Sequence, residues 1–213
     1  MKKVYKDGLK NRRKSNYIWS NSFMNQNKKN MTENTQQGFI PAKSEALKAL
    51  FNLGLNRHII NHVLAVSRKA TYIATLISSR TIDLRLVKIG ALLHDIGRSK
   101  THELDHAIVG GQIIREELNW SDKLARIAET HILGGLSKEE ALKIGLPPKD
   151  YLPKTIEEKI VCLSDKYFIG SNEVSIEGRF ENWFNRYGQT ELLLTAKKRV
   201  EQLETEIYRL MYL

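Results

Sequence analysis

The sequence predicts an all-α fold, organised as a single compact helical domain. Beyond residue 40, apolar residues recur at the spacing of one helix face, and residues that favour helix N-termini precede successive apolar segments. No segment alternates apolar and polar residues as a half-buried strand does. The 213 residues are 41% apolar and 27% charged, a balance that is typical of a soluble domain with its own core.

Capping residues and glycines indicate where each helix begins and ends. Gly54 stops the first helix, SEALKALFNLGL, Asn56 precedes the second and Asp83 the third, LRLVKIGALLH. Later helices are expected at residues 57–77, 106–118 and 121–131, after the capping pairs Ser137–Glu140 and Thr155–Glu158, and from Thr190 to the end of the chain.

The net charge of +10 is concentrated at the N-terminus. Residues 1–30 contain nine Lys and Arg and one acid, Asp7, whereas the rest of the chain is nearly neutral. We therefore expect a basic, disordered extension over residues 1–40 and one folded domain over residues 41–213. The extension could be an arm that contacts RNA or DNA weakly. The favoured interpretation is a solvated extension, since Met31 begins a plausible shorter chain.

No apolar run approaches the roughly 18 residues that a membrane-spanning helix needs, and the basic N-terminus lacks the apolar core of a secretory signal. The single cysteine, Cys162, excludes an internal disulfide framework and suits a reducing compartment. The sequence therefore predicts a cytoplasmic protein without a membrane partner, and it leaves the oligomeric state open.

Histidines and aspartates on otherwise apolar helices are the main chemical signal. His94 and Asp95 are neighbours at the end of an apolar helix, and Asp165 stands near the end of another, EEKIVCLSDKY. A buried carboxylate is costly unless it is paired or binds a cation. Imidazole nitrogen and carboxylate oxygen together suit divalent transition metals. Gly97 is expected to let the last helical turn open, so that both neighbours reach one centre.

Five segments in order resemble the HD superfamily of metal-dependent phosphohydrolases, in its HDIG branch. They are the helical segment from His62 to Ala70, the signature ALLHDIGR, DHAIVGGQII with His106 four residues before Gly110, IAETHILGG, and IVCLSDKY. The resemblance covers about residues 45–170 and departs from the family pattern mildly at Ser164, where alanine is familiar. It implies an HD-type helical domain.

The resemblance also implies the metal ligands. His62, His94, Asp95 and Asp165 would bind a first ion, while His106 and His131 would complete a second site, with Asp95 bridging the two. One or two divalent ions are expected, and mixed nitrogen and oxygen ligands fit Mn, Fe, Co, Ni or Zn.

Metal-activated water is the implied nucleophile, because a bound cation lowers the pKa of water and polarises phosphoryl oxygens. Asp95 and Arg98 are the predicted catalytic residues, and Arg98 is placed to bind phosphate, although a solvated loop arginine is nearly as good an interpretation. Lys100 and Arg57 are weaker candidates for substrate binding. His58 and His62 have the spacing of the zinc-protease motif H-E-x-x-H, but Ile59 stands at the glutamate position. His102 matches none of the five family segments.

The predicted function is hydrolysis of a phosphate ester in a nucleotide or another small phosphorylated molecule, as a phosphomonoesterase or a phosphodiesterase. Two alternatives remain: an RNA phosphodiesterase, and a non-catalytic nucleotide- or RNA-binding module. The chain contains no G-x-x-x-x-G-K-[ST] and no G-x-S-x-G motif, so Walker-type nucleotide binding and serine hydrolysis lack support.

Overall fold

A computed structural model describes residues 38–212, and the predicted basic extension lies outside these residues up to position 37. The described chain is all-α, as predicted. Its helices are α1 (Lys43–Asn52), α2 (Arg57–Leu76), α3 (Leu84–Leu93), α4 (His106–Gln112), α5 (Asp122–Thr130), α6 (Lys138–Lys143), α7 (Ile156–Lys166), α8 (Ile176–Tyr187) and α9 (Glu191–Met211).

Shorter elements connect these helices. A 3₁₀ turn (Ile96–Ser99) follows α3, a π turn (Ile113–Glu117) extends α4, and a second 3₁₀ turn (Ile132–Gly134) follows α5. The sequence did not predict the small antiparallel hairpin of β1 (Phe168–Ile169) and β2 (Asn172–Glu173), which joins α7 to α8.

The hydrophobic core lies between α2, α3, α5 and α7, which pack against one another. Helix α4 packs on α5 and on the 3₁₀ turn after α3, while α9 covers α7 and the second 3₁₀ turn. The start of the described chain is attached to the domain by its backbone, since the carbonyl oxygen of Phe39 accepts a hydrogen bond from the amide of Ser121 at 2.9 Å. None of the helices formed by residues 38–212 has the length and apolar character needed to cross a bilayer.

Most of the predicted caps are present. The side chains of Asn56, Asp83 and Thr190 each accept a hydrogen bond from the third residue of the helix that follows. The box of Ser137 and Glu140 is reciprocal, as expected. At α7 the box is incomplete, because the Glu158 carboxylate accepts from the amide of Lys154 and not from that of the capping Thr155.

Gly97 is needed for close packing, which differs from the predicted reason. Helix α3 ends before it, and Gly97 lies in the 3₁₀ turn without a positive φ. A methyl group there would collide with the carbonyl of His106 and the amide nitrogen of Gly110 on α4. The two glycines therefore let α4 approach the end of α3, which brings His106 towards Asp95.

Candidate metal centre

Six side chains from five helices or helix ends meet in the core of the domain. They come from the middle of α2, the residues that follow α3, the first residue of α4, the residue that follows α5 and the end of α7, and all are buried: His62, His94, Asp95, His106, His131 and Asp165. These are the six residues that the sequence predicted as metal ligands. Three overlapping groups of them offer ligand atoms within 4.8 Å of one another.

The first set of ligand atoms is centred on His62. Its Nε2 lies 3.0 Å from Oδ1 of Asp165 and 3.2 Å from Nε2 of His94. Oδ2 of Asp95 lies 3.8 Å from Nε2 of His62 and 3.9 Å from Nε2 of His94. Ligand atoms that share one cation at about 2.1 Å are separated by about 3.0–3.4 Å in octahedral or tetrahedral geometry. The set therefore has nearly the size of a four-ligand metal site.

The second set uses the other oxygen of Asp95. Oδ1 lies 3.1 Å from Nε2 of His106 and 3.4 Å from Nε2 of His131, and these two nitrogens are 3.2 Å apart. The rings of His94 and His131 are 4.8 Å apart, so the two sets are contiguous. Asp95 thus presents one oxygen to each set, which is the arrangement that a carboxylate needs to bridge two cations.

Each imidazole is oriented by a backbone carbonyl. Nδ1 of His62 donates to the carbonyl of Gly170 at 2.7 Å, and Nδ1 of His106 donates to that of Glu103 at 2.6 Å. The other two rings donate to the carbonyls of Ala91 (2.8 Å, from His94) and Ala128 (2.7 Å, from His131). A carbonyl accepts and never donates, so every Nδ1 carries the proton. In the neutral rings each Nε2 then points a lone pair into the centre, as metal-binding histidines do.

These lone pairs face one another and leave Oδ1 of Asp95 without a hydrogen-bond donor. The Nε2 atoms of His62 and His94 are 3.2 Å apart, and so are those of His106 and His131. Oδ1 of Asp95 is buried with no hydrogen bond among the described residues. Facing acceptors repel, and a buried acceptor without a donor is costly. Divalent cations between them would satisfy all of these atoms, so the residues present fit a metal centre. The described chain therefore forms clusters that can hold divalent metal ions.

The ionisation states favour ligation by the carboxylates. Burial raises the pKa of Asp95, but the nearby imidazoles and Arg98 outweigh it and hold the pKa well below its ordinary value. Burial likewise opposes ionisation of Asp165, yet Lys166 and the imidazoles keep its pKa well below the usual range. Both groups are therefore ionised at neutral pH.

The pKa values of two imidazoles shift in opposite directions. Burial is the main reason that the pKa of His131 falls to about 3, so this ring is neutral at pH 7. Burial also disfavours the charged form of His62, but its contact with Asp165 raises the pKa above the ordinary value. A cation at the same lone pair would displace that proton.

The remaining predicted residues lie at different distances from this centre. Arg98 is adjacent, since its Nε donates to Oδ2 of Asp95 at 2.8 Å. Arg57 and Lys100 are exposed, and among the described residues neither has a recorded contact with the six side chains. His58 and His102 are also exposed and lie outside the cluster, as expected.

Three features of the centre were missed in the sequence. Lys166 is almost fully buried, pairs with Oδ2 of Asp165 and donates to the carbonyl of His131 at 2.8 Å. The hairpin supplies the carbonyl of Gly170 to His62. Arg179 on α8 comes close enough for the charges of Asp165 and Asp95 to act on it. Only Lys166 had a signal, its position beside Asp165 in an apolar helix.

Comparison with known proteins identifies the family. The model of the HD domain matches residues 59–168, which contain all six clustered side chains. The chain belongs to the HD superfamily. The prediction made from the five sequence segments is therefore confirmed.

Individual relatives of this HD protein differ in length and in name. An uncharacterized protein of Methanocaldococcus jannaschii is 44% identical over 169 residues, which cover 78% of this chain and 97% of the relative. A tRNA (cytidine(56)-2′-O)-methyltransferase of Thermoplasma volcanium is 40% identical over 144 residues, or 68% of this chain. The match spans only 41% of that methyltransferase.

Among solved structures, the HD domain of the L. monocytogenes phosphodiesterase PgpH, in complex with cyclic-di-AMP, is similar with a TM-score of 0.46 and 19% identity. The match covers 77% of this chain and 97% of that domain.

Proposed function

We propose that this HD protein is a phosphohydrolase that cleaves a phosphate ester of a nucleotide, or of another small phosphorylated molecule, with metal-activated water. One observation carries the proposal. The two oxygens of Asp95 face separate pairs of imidazole Nε2 atoms, at 3.8 Å and 3.9 Å for Oδ2 and at 3.1 Å and 3.4 Å for Oδ1. This is the donor arrangement of a two-cation site, which suits attack by water on an anionic phosphate.

In this proposal the first ion would be held by His62, His94, Asp95 and Asp165, and the second by Asp95, His106 and His131. Bound divalent cations would lower the pKa of a water molecule and polarise the phosphoryl oxygens. The identity of the metal within the series Mn, Fe, Co, Ni and Zn follows from elemental analysis of the purified protein.

The surrounding residues hold these ligands in place. Carbonyl oxygens fix the imidazoles, Arg98 orients Asp95, and Lys166 holds Asp165 through the oxygen that does not face His62. The Nε of Arg98 is engaged with Asp95 and its Nη1 lies 3.4 Å from the carbonyl of His102, so Nη2 is the nitrogen proposed to bind the reacting phosphate. Arg57 and Lys100 are proposed as outer contacts for the rest of the substrate.

A second candidate function is RNA phosphodiester hydrolysis. The similarity to a tRNA methyltransferase over 68% of this chain favours an RNA-related role. Residues 1–30, with nine basic side chains, would supply a weak RNA contact. A purely binding module is less well supported, because all six clustered residues are present and converge.

The test is a substrate panel with an isosteric variant. The full-length protein, loaded with each candidate metal, is assayed with mononucleotides, dinucleoside polyphosphates, cyclic nucleotides and short RNA. Asp95→Asn keeps the shape of the side chain but removes its charge. We expect it to lose bound metal and at least about 100-fold in activity, because metal activation of water accounts for several kcal/mol.

Asp105→Asn is the matched control. Asp105 is half-buried near the centre and accepts a hydrogen bond from Thr101 at 2.8 Å, but it is not part of the cluster. This variant should bind metal and hydrolyse substrate like the parent. Asp95→Asn with the metal content and the rate of the parent would refute the proposed function.

A further inference from the structure

Within residues 38–212, Arg179 is a cation that forms no ion pair. It lies in the first turn of α8, where its guanidinium stacks 4.4 Å from the ring centroid of Trp183. Its Nε is buried and makes no hydrogen bond with the described residues, and none of the ion pairs recorded among them includes it. A charged donor group in this condition is free to bind a ligand.

Arg179 follows the hairpin that contacts His62 through Gly170, and the ionised groups that act on it most strongly belong to the metal centre. Burial lowers its pKa most, the charges of Asp165 and Asp95 oppose this, and that of Arg98 adds to it, with a net decrease. The guanidinium nevertheless stays charged at neutral pH, because the ordinary pKa of arginine lies far above neutrality. An anion bound here would give this half-buried guanidinium the ion pair that it lacks among the described residues.

The charges of the centre are unequal even before a metal binds. Asp95 pairs with Arg98, and Asp165 pairs with Lys166. Arg179 is a further cation within electrostatic range of these two carboxylates, and it forms no ion pair with the described residues. Divalent ions would add further positive charge, so the site is matched to a ligand with more negative charge than a single phosphate carries.

We propose that Arg179, held flat against Trp183, binds a phosphate group of the substrate other than the one that reacts at the metal centre. This inference rests on the proposed function and narrows its substrate class to compounds with at least two phosphates. The second phosphate is either linked directly to the first, as in a nucleoside diphosphate, or lies across the sugar, as in an oligonucleotide. A guanidinium suits both, because its parallel N–H groups bind phosphate oxygens in pairs.

Calorimetric titration separates these two chemistries. The full-length protein, saturated with Mn²⁺, is titrated with AMP, with α,β-methylene-ADP and with adenosine 3′,5′-bisphosphate, and the ligands are checked for hydrolysis by chromatography. We expect Arg179→Met to weaken the binding of one of the two-phosphate ligands about tenfold, as loss of a charged hydrogen bond predicts. The affinity for AMP should fall less than about twofold. The ligand that loses affinity identifies the substrate chemistry.

Arg186→Met is the matched control, because Arg186 lies on the same helix, is exposed and stacks on Tyr187 at 5.1 Å. It removes the same charge and should bind all three ligands like the parent. The inference is overturned if Arg179→Met binds both two-phosphate ligands like the parent. It is also overturned if the affinity for AMP falls as much as that for the two-phosphate ligands, which would place Arg179 on the reacting phosphate. A parent protein that binds neither metal nor any of the ligands would instead overturn the proposed function, and this inference with it.

Discussion

At the scale of single residues, Lys166 is the side chain whose burial most needs an explanation. Its ammonium contacts the Asp165 carboxylate and the carbonyl of His131, which lie at the ends of two different helices. The same carbonyl accepts from the Cys162 thiol, whose pKa burial raises to about 11. Lys166 therefore compensates a buried carboxylate and ties the end of α7 to the residue that follows α5.

We predict that Lys166→Met lowers the free energy of unfolding by about 3 kcal/mol, because removal of one partner leaves a buried charge uncompensated. The measurement is urea denaturation in the presence of EDTA, so that metal binding does not contribute. Lys159→Met on the same helix removes a more exposed pair with Glu206 and should cost less than about 1 kcal/mol. Equal losses in the two variants would contradict this account of Lys166.

The sequence predicted the residues of the centre better than their surroundings. His62, His106 and His131 each lie in a recognisable local segment, so order along the chain was enough to group them. Neither the carbonyl of Gly170 nor the position of Arg179 has such a signal, since a backbone atom carries no residue identity and α8 has no motif. Both depend on how the hairpin returns towards α2, which is a property of packing and not of local sequence.

At the scale of elements, contact between glycines brings α4 close to the end of α3. A methyl group at Gly97 would meet the backbone of His106 and Gly110 on α4, and a backbone segment cannot rotate aside as a side chain does. Small residues at such contacts set the distance between elements. This contact positions His106 relative to Asp95, and hence the second set of ligand atoms.

We predict that Gly97→Ala destabilises the fold by about 2–3 kcal/mol, as overpacking does, and that it weakens the second metal more than the first. Denaturant unfolding and metal stoichiometry measure the two effects. Gly178→Ala in α8 is the control, because its added methyl group meets only ordinary contacts and alanine favours the helix. The free energy of unfolding of that variant should rise by about 0.5–1 kcal/mol. A similar rise in Gly97→Ala would show that the close contact is unimportant.

Helix ends were the most predictable elements, because a cap is decided by residues adjacent in sequence. Asn56 and Ser137 needed only their own helix to act. The box at Thr155 was predicted by the same rule and formed only half, since Glu158 reaches Lys154 instead. The hairpin was missed because two-residue strands are too short for an alternating pattern.

At the scale of the whole molecule, the centre joins helices that are distant in sequence. His62 and Asp165 are about a hundred positions apart, yet His62 Nε2 lies 3.0 Å from Asp165 Oδ1. Without a cation, this arrangement keeps facing lone pairs and charged groups inside the core, which opposes folding. Metal binding and folding should therefore be coupled, because the complete ligand set exists only in the folded chain.

Removal of metal is the last prediction. A metal present at about 1,000 times its dissociation constant stabilises the folded state by about 4 kcal/mol, which corresponds to about 8–16 °C in Tm for a domain of this size. We expect a shift of this order between EDTA and saturating Mn²⁺ when the full-length protein is melted and followed by circular dichroism. His58→Ala, an exposed position on the same helix as His62, should keep the shift, while His62→Ala should lose most of it. The same Tm with and without metal would mean that the six side chains do not converge on a cation in the folded chain.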